Sequence, residues 1–554
     1  MNYRRMIFRL ILPVLVFVSL LFLVNDILYK SPVDQEAIDG LELIVEADGT
    51  RRVGANWLRL NEHGNYECYI EGNGYQRGQI QGKLMEDLLK EQEVYFIDEV
   101  ERHVPSSFFR RILSIFISLI NNDLDELIPL EFRQEIYGVS KYFSDDYDYI
   151  GPKYNRIINY HAAHDIGHAM QNLHLVGCTV VGECASALKG ERMIIGRNFD
   201  FYVGENFASN KMILFSNPDS GYNSISVSWP GFAGVVSGLN EMGLGIMLNS
   251  DKTDVRISSG TPVSIVARDV LQYASTIEEA RAICSRYQTM VSESFVISSA
   301  IDGAFAVIEK TPDQSGVYEV DSGNLIVTNH FQSKALKNLP INMEHMNRSE
   351  TVPRYNRAAE LLESADTIDV VSLVEILRDQ KGQDELDIGY GNPMAINQLI
   401  AHHSIIFDNR KLIAWLGSPP YQLGEYVAYN ISGMEKWGPN GLRDLYVVDS
   451  LAVEPDEFLE TETWKNVIKF RKMHQKIAED ATDGIEWTTE QIDEYLLLNP
   501  EYYESYLSVA NYYWSRGESN EARIMYERAL KCEIPYMEVE EFIAERLLKI
   551  ENND

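Results

Sequence analysis

The chain has few basic side chains and few cysteines for its 554 residues. Its 49 lysines and arginines are outnumbered by 83 aspartates and glutamates, which gives a formal net charge of −34 at pH 7. This charge repels phosphate backbones and argues against nucleic acid as a partner. The five cysteines show no paired spacing, which excludes a disulfide scaffold. In an oxidising compartment at least one thiol stays free unless it pairs between chains, so the sequence directs attention to a reactive cysteine.

The N-terminus carries an apolar run from Leu10 to Val24, preceded by three arginines and followed by acidic residues. This asymmetry of charge predicts that the N-terminus lies on the cytoplasmic side of a membrane. The segment Met6 to Leu28 is long enough to span a bilayer if Arg9 snorkels. We expect residues 1–30 to be a signal-anchor, with a cleaved secretory signal peptide as the alternative. Either form predicts an exported protein, whether membrane-anchored with an extracytoplasmic catalytic domain or secreted or periplasmic.

The sequence pattern changes along the rest of the chain, and 554 residues are too many for a single domain core. Residues 31–177 are predicted to be an α-rich N-terminal part, with short strand-like pieces before about residue 65. Residues 178–431 favour short strands, interrupted by helical segments at 263–285 and 354–377. We predict an α+β catalytic domain whose strands are buried on both faces. The clearest predicted strands are Met193–Gly196, Ser224–Trp229, Leu244–Leu248, Ala304–Ile308 and Leu325–Thr328.

The C-terminal region has a different pattern. Residues 432–485 are predicted to be a linker, and residues 486–554 a tetratricopeptide-like helical segment. One repeat cannot bury its apolar face alone, so we expect neighbouring helices at Thr488–Leu498 and Met537–Ile550. The segment is then either a helical cap on the catalytic domain or a binding site for a protein partner. The positions that fit the repeat are Tyr506, Val509, Ala510, Tyr513, Gly517, Ala522, Tyr526, Ala529 and Pro535.

The candidate chemistry starts at the Gly177–Cys178 peptide bond. Glycine leaves its carbonyl sterically open, so the thiol of Cys178 can attack it and shift the acyl group from nitrogen to sulfur. Water would then release the thioester and leave Cys178 as a new N-terminus. A free α-amine has a pKa of about 8 and lies beside its own thiol, so it can act as the general base. One residue would supply both nucleophile and base.

Arg197 and Asp200 follow within the stretch Gly-Arg-Asn-Phe-Asp-Phe, at the predicted end of the next strand of a hairpin. A hairpin would return both side chains to Cys178. A guanidinium near sulfur favours thiolate, and a carboxylate can orient the α-ammonium or hold the amide nitrogen of a substrate. Taken alone, the two residues fit a local ion pair equally well.

These motifs resemble the linear-amide hydrolases related to choloylglycine hydrolase, penicillin V acylase and acyl-coenzyme A:6-aminopenicillanic-acid acyltransferase. Four blocks in the same order carry the resemblance, which covers about residues 65–430. They are Gly-Cys-Thr with Gly-Arg-Asn-Phe-Asp-Phe, the stretch 238–249, Val-Thr-Asn-His at 327–330 and Pro-Arg-Tyr-Asn-Arg at 353–357. The resemblance implies a four-layer αββα N-terminal-nucleophile core that cleaves itself, needs no metal or organic cofactor, and acts on small acyl amides. The acyl group would pass through a thioester to water or to an amine.

The resemblance also implies roles for individual residues. Cys178, rather than Cys184, falls on the nucleophile position. Asn249 and nearby backbone would form the oxyanion hole, and Asn329 would hydrogen-bond the α-amine or the tetrahedral centre. Arg354 would support the thiolate, although Arg357 is near enough to take its place in an alignment. The fragment that precedes Cys178 contains family-like sequence, so it should stay bound after cleavage.

Other interpretations of the sequence stay open. A group of histidines near the cleavage site could bind a metal, although its spacing matches no recognised zinc signature. A cysteine-histidine hydrolase without self-cleavage could use either Cys178 or Cys184. A scaffold that binds partners through its C-terminal repeat is a third alternative. The candidate metal ligands are His161, His164, Asp165, His168 and His174, and the candidate histidine bases are His330, His402 and His403.

Overall fold

The computed structural model describes residues 42–121, 123–162, 165, 177–184, 192–204, 206–252, 259–434 and 446–553. The predicted membrane segment, residues 1–30, lies outside the described residues. Across the described ranges, no helix is both long and apolar enough to cross a membrane. The described strands and helices alternate in a mixed order, which confirms the α+β prediction.

The described strands form two sheets. The larger has the order β1-β2-β3-β4-β7-β8-β9-β10-β11-β12-β13, and the smaller has the order β14-β5-β6-β15-β16-β17. Neighbouring strands are antiparallel, apart from the parallel pair β4 and β7. The strands are β1 Ile44–Val45, β2 Arg51–Val53, β3 Asn56–Leu60, β4 Tyr66–Gly72, β5 Thr179–Cys184, β6 Met193–Asp200, β7 Met212–Pro218, β8 Ser224–Ser228, β9 Ser237–Asn240, β10 Leu244–Ser250, β11 Glu293–Ser299, β12 Ala304–Lys310, β13 Ser315–Val320, β14 Gly323–Val327, β15 Ala401–Asp408, β16 Ile413–Gly417 and β17 Tyr426–Asn430.

Helices cover the outer faces of both sheets. The helices are α1 Gly74–Leu84, α2 Glu86–His103, α3 Ser107–Ile120, α4 Leu124–Leu127, α5 Leu130–Ser140, α6 Lys153–His161, α7 Val263–Tyr273, α8 Ile277–Arg286, α9 Pro340–Arg348, α10 Thr351–Ser364, α11 Val370–Arg378, α12 Glu462–Asp483, α13 Thr489–Leu498, α14 Tyr503–Ser515, α15 Ser519–Ala529 and α16 Met537–Asn553. One apolar core lies between the two sheets. Helices α7 and α8 pack on the larger sheet, and α10 and α11 pack on the smaller.

Strand β6 shows why these strands lack a polar face. Its side chains alternate between the two sides of the smaller sheet. Ile195 contributes to the core between the sheets, whereas Ile194 packs against α10 and α11. All eight residues of β6 are buried. The prediction that the strands of this domain are covered on both faces is confirmed for β6.

The two helical segments predicted at 263–285 and 354–377 are each divided in the structure. The first becomes α7 and α8, and the second becomes α10 and α11. The break is fixed by side-chain caps, because Thr276 caps the N-terminus of α8 and Asp369 caps that of α11. Each cap forms a reciprocal capping box, which starts a new helix.

The N-terminal part joins the larger sheet directly. Strand β4 pairs in parallel with β7 along seven residues, from Tyr66 opposite Met212 onward. Helix α1 packs closely on α5, because Gly74 and Gly78 leave no room for a side chain at the crossing. A Cβ atom at either glycine would lie 2.1 Å from a backbone oxygen of α5. The part that precedes Cys178 therefore shares a sheet and a core with the rest of the chain.

The second half of the predicted linker at 432–485 is helical. Residues 462–483 form α12, whose N-terminus is capped by Thr461. Phe470 and Ile477 of α12 are buried against α13 and α14. Helices α14 and α15 form a hairpin about Gly517, which adopts a φ of 75°. The tetratricopeptide character of this hairpin stays a prediction.

The C-terminal helices dock on the catalytic domain through the loop that precedes β15. The Asn392 side chain donates to the Glu533 carbonyl at 3.0 Å. The Asn499 side chain accepts from the Tyr390 amide at 3.0 Å and donates back to its carbonyl at 2.9 Å. These contacts fix the helical hairpin against the domain that carries the candidate site.

Candidate active site

The hairpin of β5 and β6 brings two distant parts of the sequence together. Thr179 pairs with Asn198, so Cys178, just before β5, comes beside the end of β6. The Gly177 amide donates to the Asp200 carbonyl oxygen at 3.2 Å. The structure therefore places the Gly177–Cys178 peptide bond against Asp200, as the predicted hairpin required.

The Cys178 thiol is buried, and burial raises its pKa to about 11. Negative charge on Asp200 and Glu293 also acts to raise this pKa. Arg197 and a hydrogen bond from the Asp200 backbone act in the opposite direction. A thiol with this pKa is protonated at neutral pH, so the unbroken chain holds Cys178 in its less nucleophilic form.

Arg197 lies in β6, and its positive charge acts on the Cys178 thiol. Its Nη1 donates to the Val236 carbonyl at 2.9 Å, and its Nη2 donates to Asn249 Oδ1 at 3.1 Å. The guanidinium also lies 4.7 Å from the centre of the Phe199 ring. Burial lowers the pKa of Arg197 from its ordinary value. Because arginine nevertheless keeps its proton, a fixed positive charge stands beside the sulfur.

Asp200 is the least satisfied side chain of the site. It is buried, and neither carboxyl oxygen has a hydrogen-bond partner among the described residues. Burial raises its pKa to about 7, although Arg354 and Arg197 act to lower it. A buried carboxyl group without donors destabilises a fold, so its position needs a chemical reason.

Asn249, at the end of β10, bridges two strands. Its Oδ1 accepts the bond from Arg197. Its Nδ2 donates to the carbonyl oxygens of Val327 and Thr328, at 3.3 and 3.2 Å. In this unbroken chain the amide donor predicted for the oxyanion hole is therefore bound to backbone.

Asn329 and Arg354 form a connected pair beside Asn249. The Asn329 Nδ2 donates to the Ser250 carbonyl at 2.8 Å, and its Oδ1 accepts from Arg354 Nη2 at 2.7 Å. Arg354 Nη1 donates to the Cys178 carbonyl at 2.6 Å. Glu350 completes the group through an ion pair of 2.9 Å with Arg354. Arg354 thus holds the main chain of the candidate nucleophile.

Arg357, the alternative to Arg354, faces a different part of the structure. It makes ion pairs with Asp379 and Glu385, at 2.7 and 2.6 Å. These partners lie outside the cluster around Cys178. Of these two candidates, Arg354 is therefore the one that contacts Cys178.

The candidate histidine bases have other partners. His330 Nδ1 lies 3.0 Å from Thr351 Oγ1. His403 Nε2 lies 2.8 Å from Ser237 Oγ, and its Nδ1 lies 3.0 Å from His402 Nδ1. Burial lowers the pKa of His330 to about 4 and that of His402 to about 3. In the described part of the chain, no hydrogen bond of these three histidines reaches a cysteine.

The predicted metal alternative finds no support at its described members. His161 Nδ1 bonds the Ile157 carbonyl at 2.9 Å, and its Nε2 accepts from the Ala233 amide at 2.9 Å. Both ring nitrogens are thus engaged by backbone. Within the ranges that the structure describes, no three or more histidine, cysteine or acidic side chains are grouped for a metal ion. His164, His168 and His174 lie outside the described residues.

Three residues that the sequence analysis missed belong to the site. Gln398 donates from Nε2 to the Gly177 carbonyl oxygen at 2.9 Å. Glu293 is buried and its charge acts on the Cys178 thiol, and Glu350 supports Arg354. No motif marks them, because they reach the site from separate elements. A buried acid or amide in a strand or loop carries no local signal of such a contact.

An aromatic pocket lies beside the end of β6. Phe201, which follows Asp200 in sequence, contributes to its wall. Two helices of the N-terminal part, α2 and α6, form another wall, and the loop 229–232 forms a third. The lining residues are Gln92, Glu93, Phe96, Phe143, Ile157, Tyr160, His161, Phe201, Phe207, Trp229, Pro230, Gly231 and Phe232. The fold therefore places an apolar recess beside Phe201, the residue that follows Asp200.

Two stacked sheets bring a buried cysteine, arginine and aspartate together at one hairpin, and comparison with known proteins shows the class of enzyme that this chain is similar to, the amide hydrolases and acyltransferases. Residues 187–409 match the family model described as acyl-coenzyme A:6-aminopenicillanic acid acyl-transferase. They carry Arg197, Asp200, Asn249, Asn329 and Arg354, and the matched span begins after Cys178. The resemblance indicated by the sequence motifs is thereby confirmed for this region, as is the predicted enzyme class.

Individual relatives match smaller shares of the chain. An uncharacterized protein of Archaeoglobus fulgidus is 26% identical over 279 residues, which cover 47% of this chain and 46% of the relative. The match thus spans about half the length of that curated relative. The Caenorhabditis elegans ortholog of N-acylethanolamine-hydrolyzing acid amidase has 17% identity and a TM-score of 0.32, and the alignment covers 42% of this chain and 93% of the ortholog. A variant of the conjugated bile acid hydrolase from Clostridium perfringens has 15% identity and a TM-score of 0.31, with coverage of 46% and 92%.

Proposed function

We propose that this protein is a cysteine amidase that activates itself by cutting the Gly177–Cys178 bond. The observation that carries the proposal is the buried Asp200 carboxyl group, which has no donor among the described residues. The main-chain carbonyl of Asp200 accepts from the Gly177 amide, and the charge of its carboxyl group acts on the Cys178 thiol. Cleavage would create an α-ammonium group at Cys178. This group supplies the hydrogen-bond donor and the positive charge that Asp200 lacks.

The freed Cys178 would then work with its own amine. The α-amine accepts the thiol proton, and the neighbouring Arg197 stabilises the resulting thiolate. The thiolate attacks a linear amide, expels the amine and forms a thioester. Water or a second amine takes the acyl group from sulfur. We favour hydrolysis, because an exported enzyme meets water more readily than an activated acyl donor.

The tetrahedral intermediate needs hydrogen-bond donors for its oxygen. We assign this role to Asn249 and nearby backbone, with Asn329 at the amine or tetrahedral centre. For Asn249 to act, its amide must leave the carbonyl oxygens that it now contacts at 3.2 and 3.3 Å. Asn249→Ala and Asp200→Ala should each lose turnover, measured as amine released per mole of processed enzyme. Wild-type turnover in both variants would show that the roles are misassigned.

The aromatic pocket is the proposed site of the acyl group. Its position next to Phe201 and its largely apolar lining suit an acyl chain or ring rather than a charged group. The substrate class is therefore a small acyl amide with an apolar acyl part. A set of amides that share one amine and differ in acyl length and branching would test this assignment through kcat/KM.

The N-terminal fragment should stay bound after cleavage. Strand β4 belongs to the larger sheet, and α2 and α6 build part of the aromatic pocket. Dissociation would expose a sheet edge and an apolar core. Processed protein should therefore elute from size exclusion as one species that contains both fragments.

We further propose that the protein works at a membrane, as its N-terminal apolar run suggests. Helix α3 supports this location, because several large apolar side chains on it face solvent. Phe109 is 61% exposed and Phe116 is 51% exposed. An amphipathic helix of this kind binds the interface of a bilayer. Sedimentation with lipid vesicles should fall when Phe109 and Phe116 are both changed to serine, and unchanged sedimentation would contradict the role of α3.

Intact mass and N-terminal sequencing of the purified protein test the main proposal. By residue share of the 63.3 kDa chain, cleavage after residue 177 gives fragments of roughly 20 and 43 kDa. The larger fragment should begin with Cys-Thr-Val-Val. An active, uncut chain would instead favour a cysteine-histidine hydrolase. An uncut, inactive chain would favour a scaffold that binds partners through its C-terminal helices.

A further inference from the structure

The carbonyl of Gly177 is the group that self-cleavage attacks, and a buried side chain already holds it. Gln398 Nε2 donates to this carbonyl oxygen at 2.9 Å. Gln398 is only 3% exposed, so water competes little for the bond. Of the hydrogen bonds that the described side chains make, this is the one that reaches the Gly177 oxygen.

A second observation shows that the two residues fit each other. A Cβ atom added at Gly177 would lie 2.6 Å from Gln398 Nε2, which is closer than nonbonded atoms approach. A side chain at this position would therefore displace the Gln398 amide from the carbonyl oxygen that it contacts.

The loop that carries Gln398 is held by the same hairpin that carries the nucleophile. Asn198 of β6 donates to the Ile396 carbonyl at 3.0 Å and to the Leu377 carbonyl at 2.8 Å. The Asn397 amide donates to the Asp379 carbonyl at 2.8 Å. These bonds fix the residues just before Gln398, so its donor is in place before any reaction.

We propose that Gln398 is a catalytic residue of self-cleavage, where its amide stabilises the oxyanion that forms on the Gly177 carbonyl. This inference rests on the proposed function and adds a residue that no motif marks. Preorganised donors aimed at a developing oxyanion are among the strongest contributors to acyl-transfer rates. Asn249 does not serve in the unbroken chain, because its donors are bound to Val327 and Thr328.

The reaction balances with water as the one co-reactant. The Cys178 sulfur bonds to the Gly177 carbonyl carbon, and the electron pair of the C=O bond moves to oxygen. When the carbonyl re-forms, the C–N bond breaks, and the nitrogen receives the proton that the thiol gave up. Water then adds to the thioester carbon and releases the Gly177 carboxylate and the Cys178 thiol, and the remaining proton of water passes to the α-amine, which becomes the α-ammonium group. Gln398 donates its hydrogen bond through both tetrahedral stages.

The test compares two glutamines that each donate to a strand or loop carbonyl. Gln398→Met removes the donor at the scissile bond, whereas Gln332→Met removes a bond of 2.9 Å to the Ile326 carbonyl, which is not cut. Uncut full-length chain is followed by intact mass after rapid purification in the cold. We expect Gln398→Met to slow cleavage about one hundredfold and Gln332→Met to follow the wild type. Cleavage of Gln398→Met within about threefold of the wild-type rate, or equal slowing in both variants, would overturn the proposal.

A second variant covers the case in which methionine disturbs folding. Gln398→Leu removes the amide donor, adds no charge and presents a different apolar shape from methionine. A cooperative thermal transition shows that the chain is folded, and its cleavage should be slow. A folded Gln398→Leu chain that cleaves at the wild-type rate would refute the role of Gln398. A wild-type chain that is never cut would instead refute the proposed function, so the two failures are distinct.

Discussion

Two buried clusters of arginine and carboxylate in this molecule differ in how completely their polar atoms are paired. The N-terminal ion cluster consists of Arg77, Glu131 and Glu135, between α1 and α5. Arg77 donates from all three nitrogens, to Glu135 at 2.9 Å, to the Gly72 carbonyl at 2.7 Å and to Glu131 at 2.8 Å. Both oxygens of Glu135 accept bonds, one from Arg77 and one from Gln81. This cluster satisfies the groups that it buries.

The catalytic cluster, Cys178, Arg197 and Asp200, is as deeply buried but incompletely paired. Among the described residues, neither carboxyl oxygen of Asp200 has a hydrogen-bond partner. The Nε of Arg197 has none either. Paired ions hold helices together, whereas unpaired ones weaken the fold that contains them. A site keeps such groups when a reaction uses them. The contrast separates a structural cluster from one arranged for chemistry.

The largest effect should come from Cys178, the proposed nucleophile. Cys178→Ala removes the attacking sulfur, so the chain should stay uncut and release no amine from acyl amides. Cys184→Ala is the matched control, because that thiol is also buried and donates to the Gly303 carbonyl at 2.9 Å. The control should mature normally, as judged by intact mass. Processed and active Cys178→Ala protein would end the assignment.

A substitution in the N-terminal ion cluster should affect stability and leave the chemistry intact. Arg77→Met leaves the buried Glu135 with only the more distant Arg268, 3.9 Å away, as a cation, which should lower the free energy of unfolding by about 3 kcal/mol. Urea unfolding, measured on a chain that also carries Cys178→Ala, reports this change. The exposed pair of Arg281 and Glu278, 3.9 Å apart, provides the control, since Arg281→Met should change stability little. If Arg77→Met instead blocked cleavage in folded protein, the contrast between the clusters would be wrong.

Replacing Asp200 should raise the free energy of unfolding at neutral pH, whereas replacing Arg77 lowers it. Its pKa in the folded chain is raised to about 7, so between pH 4 and pH 7 the folded state holds a proton that the unfolded state has lost. Stability that depends on Asp200 therefore falls as pH rises through this range. In uncut Cys178→Ala protein, Asp200→Asn should be stabilising at pH 7, by at most about 4 kcal/mol, and near neutral at pH 4. Urea midpoints at the two pH values measure the difference.

Asp87 is the control for this pH experiment, because its contribution to stability should change with pH in the opposite direction. A hydrogen bond from Arg51 lowers the pKa of Asp87, so its contribution to stability is present at neutral pH and is lost in acid. Asp87→Asn should therefore be destabilising at pH 7 and less so at pH 3. Equal pH dependence in the Asp87 and Asp200 variants would mean that the Asp200 carboxyl group is not held unpaired.

The fold was predictable where each strand or helix carries its own signal. Runs such as Ala304–Ile308 are apolar on both faces, and the structure has them as strands with both faces covered. Helix α12 was missed because its buried face, with Phe470 and Ile477, is spread thinly among charged residues. The divided helices were missed because Thr276 and Asp369 act as caps only when the chain turns there.

The candidate site was predictable where a motif carries it. Arg197 and Asp200 lie within about twenty residues of Cys178, and one hairpin suffices to join them. Gln398 lies 221 residues from Gly177, and only the packing of β15 against β6 brings them together. Local sequence holds no information on such a contact. Residues that contact the Gly177–Cys178 bond from a distant loop must therefore be found in the structure.

The smallest effect should come from the C-terminal helices. The Tyr536 hydroxyl hydrogen-bonds Glu350, which holds Arg354 at 2.9 Å, so Tyr536→Phe removes an outer support of the catalytic cluster. We expect kcat to fall by up to about tenfold with KM unchanged. The lost hydrogen bond is to a charged group, Glu350, which reaches Cys178 only through Arg354. Tyr526→Phe is the control, since that hydroxyl donates to Asn511 within the same helices at 2.8 Å. Equal kcat in the two variants would mean that the C-terminal helices only pack on the domain, and a fall confined to Tyr536→Phe would join them to the site.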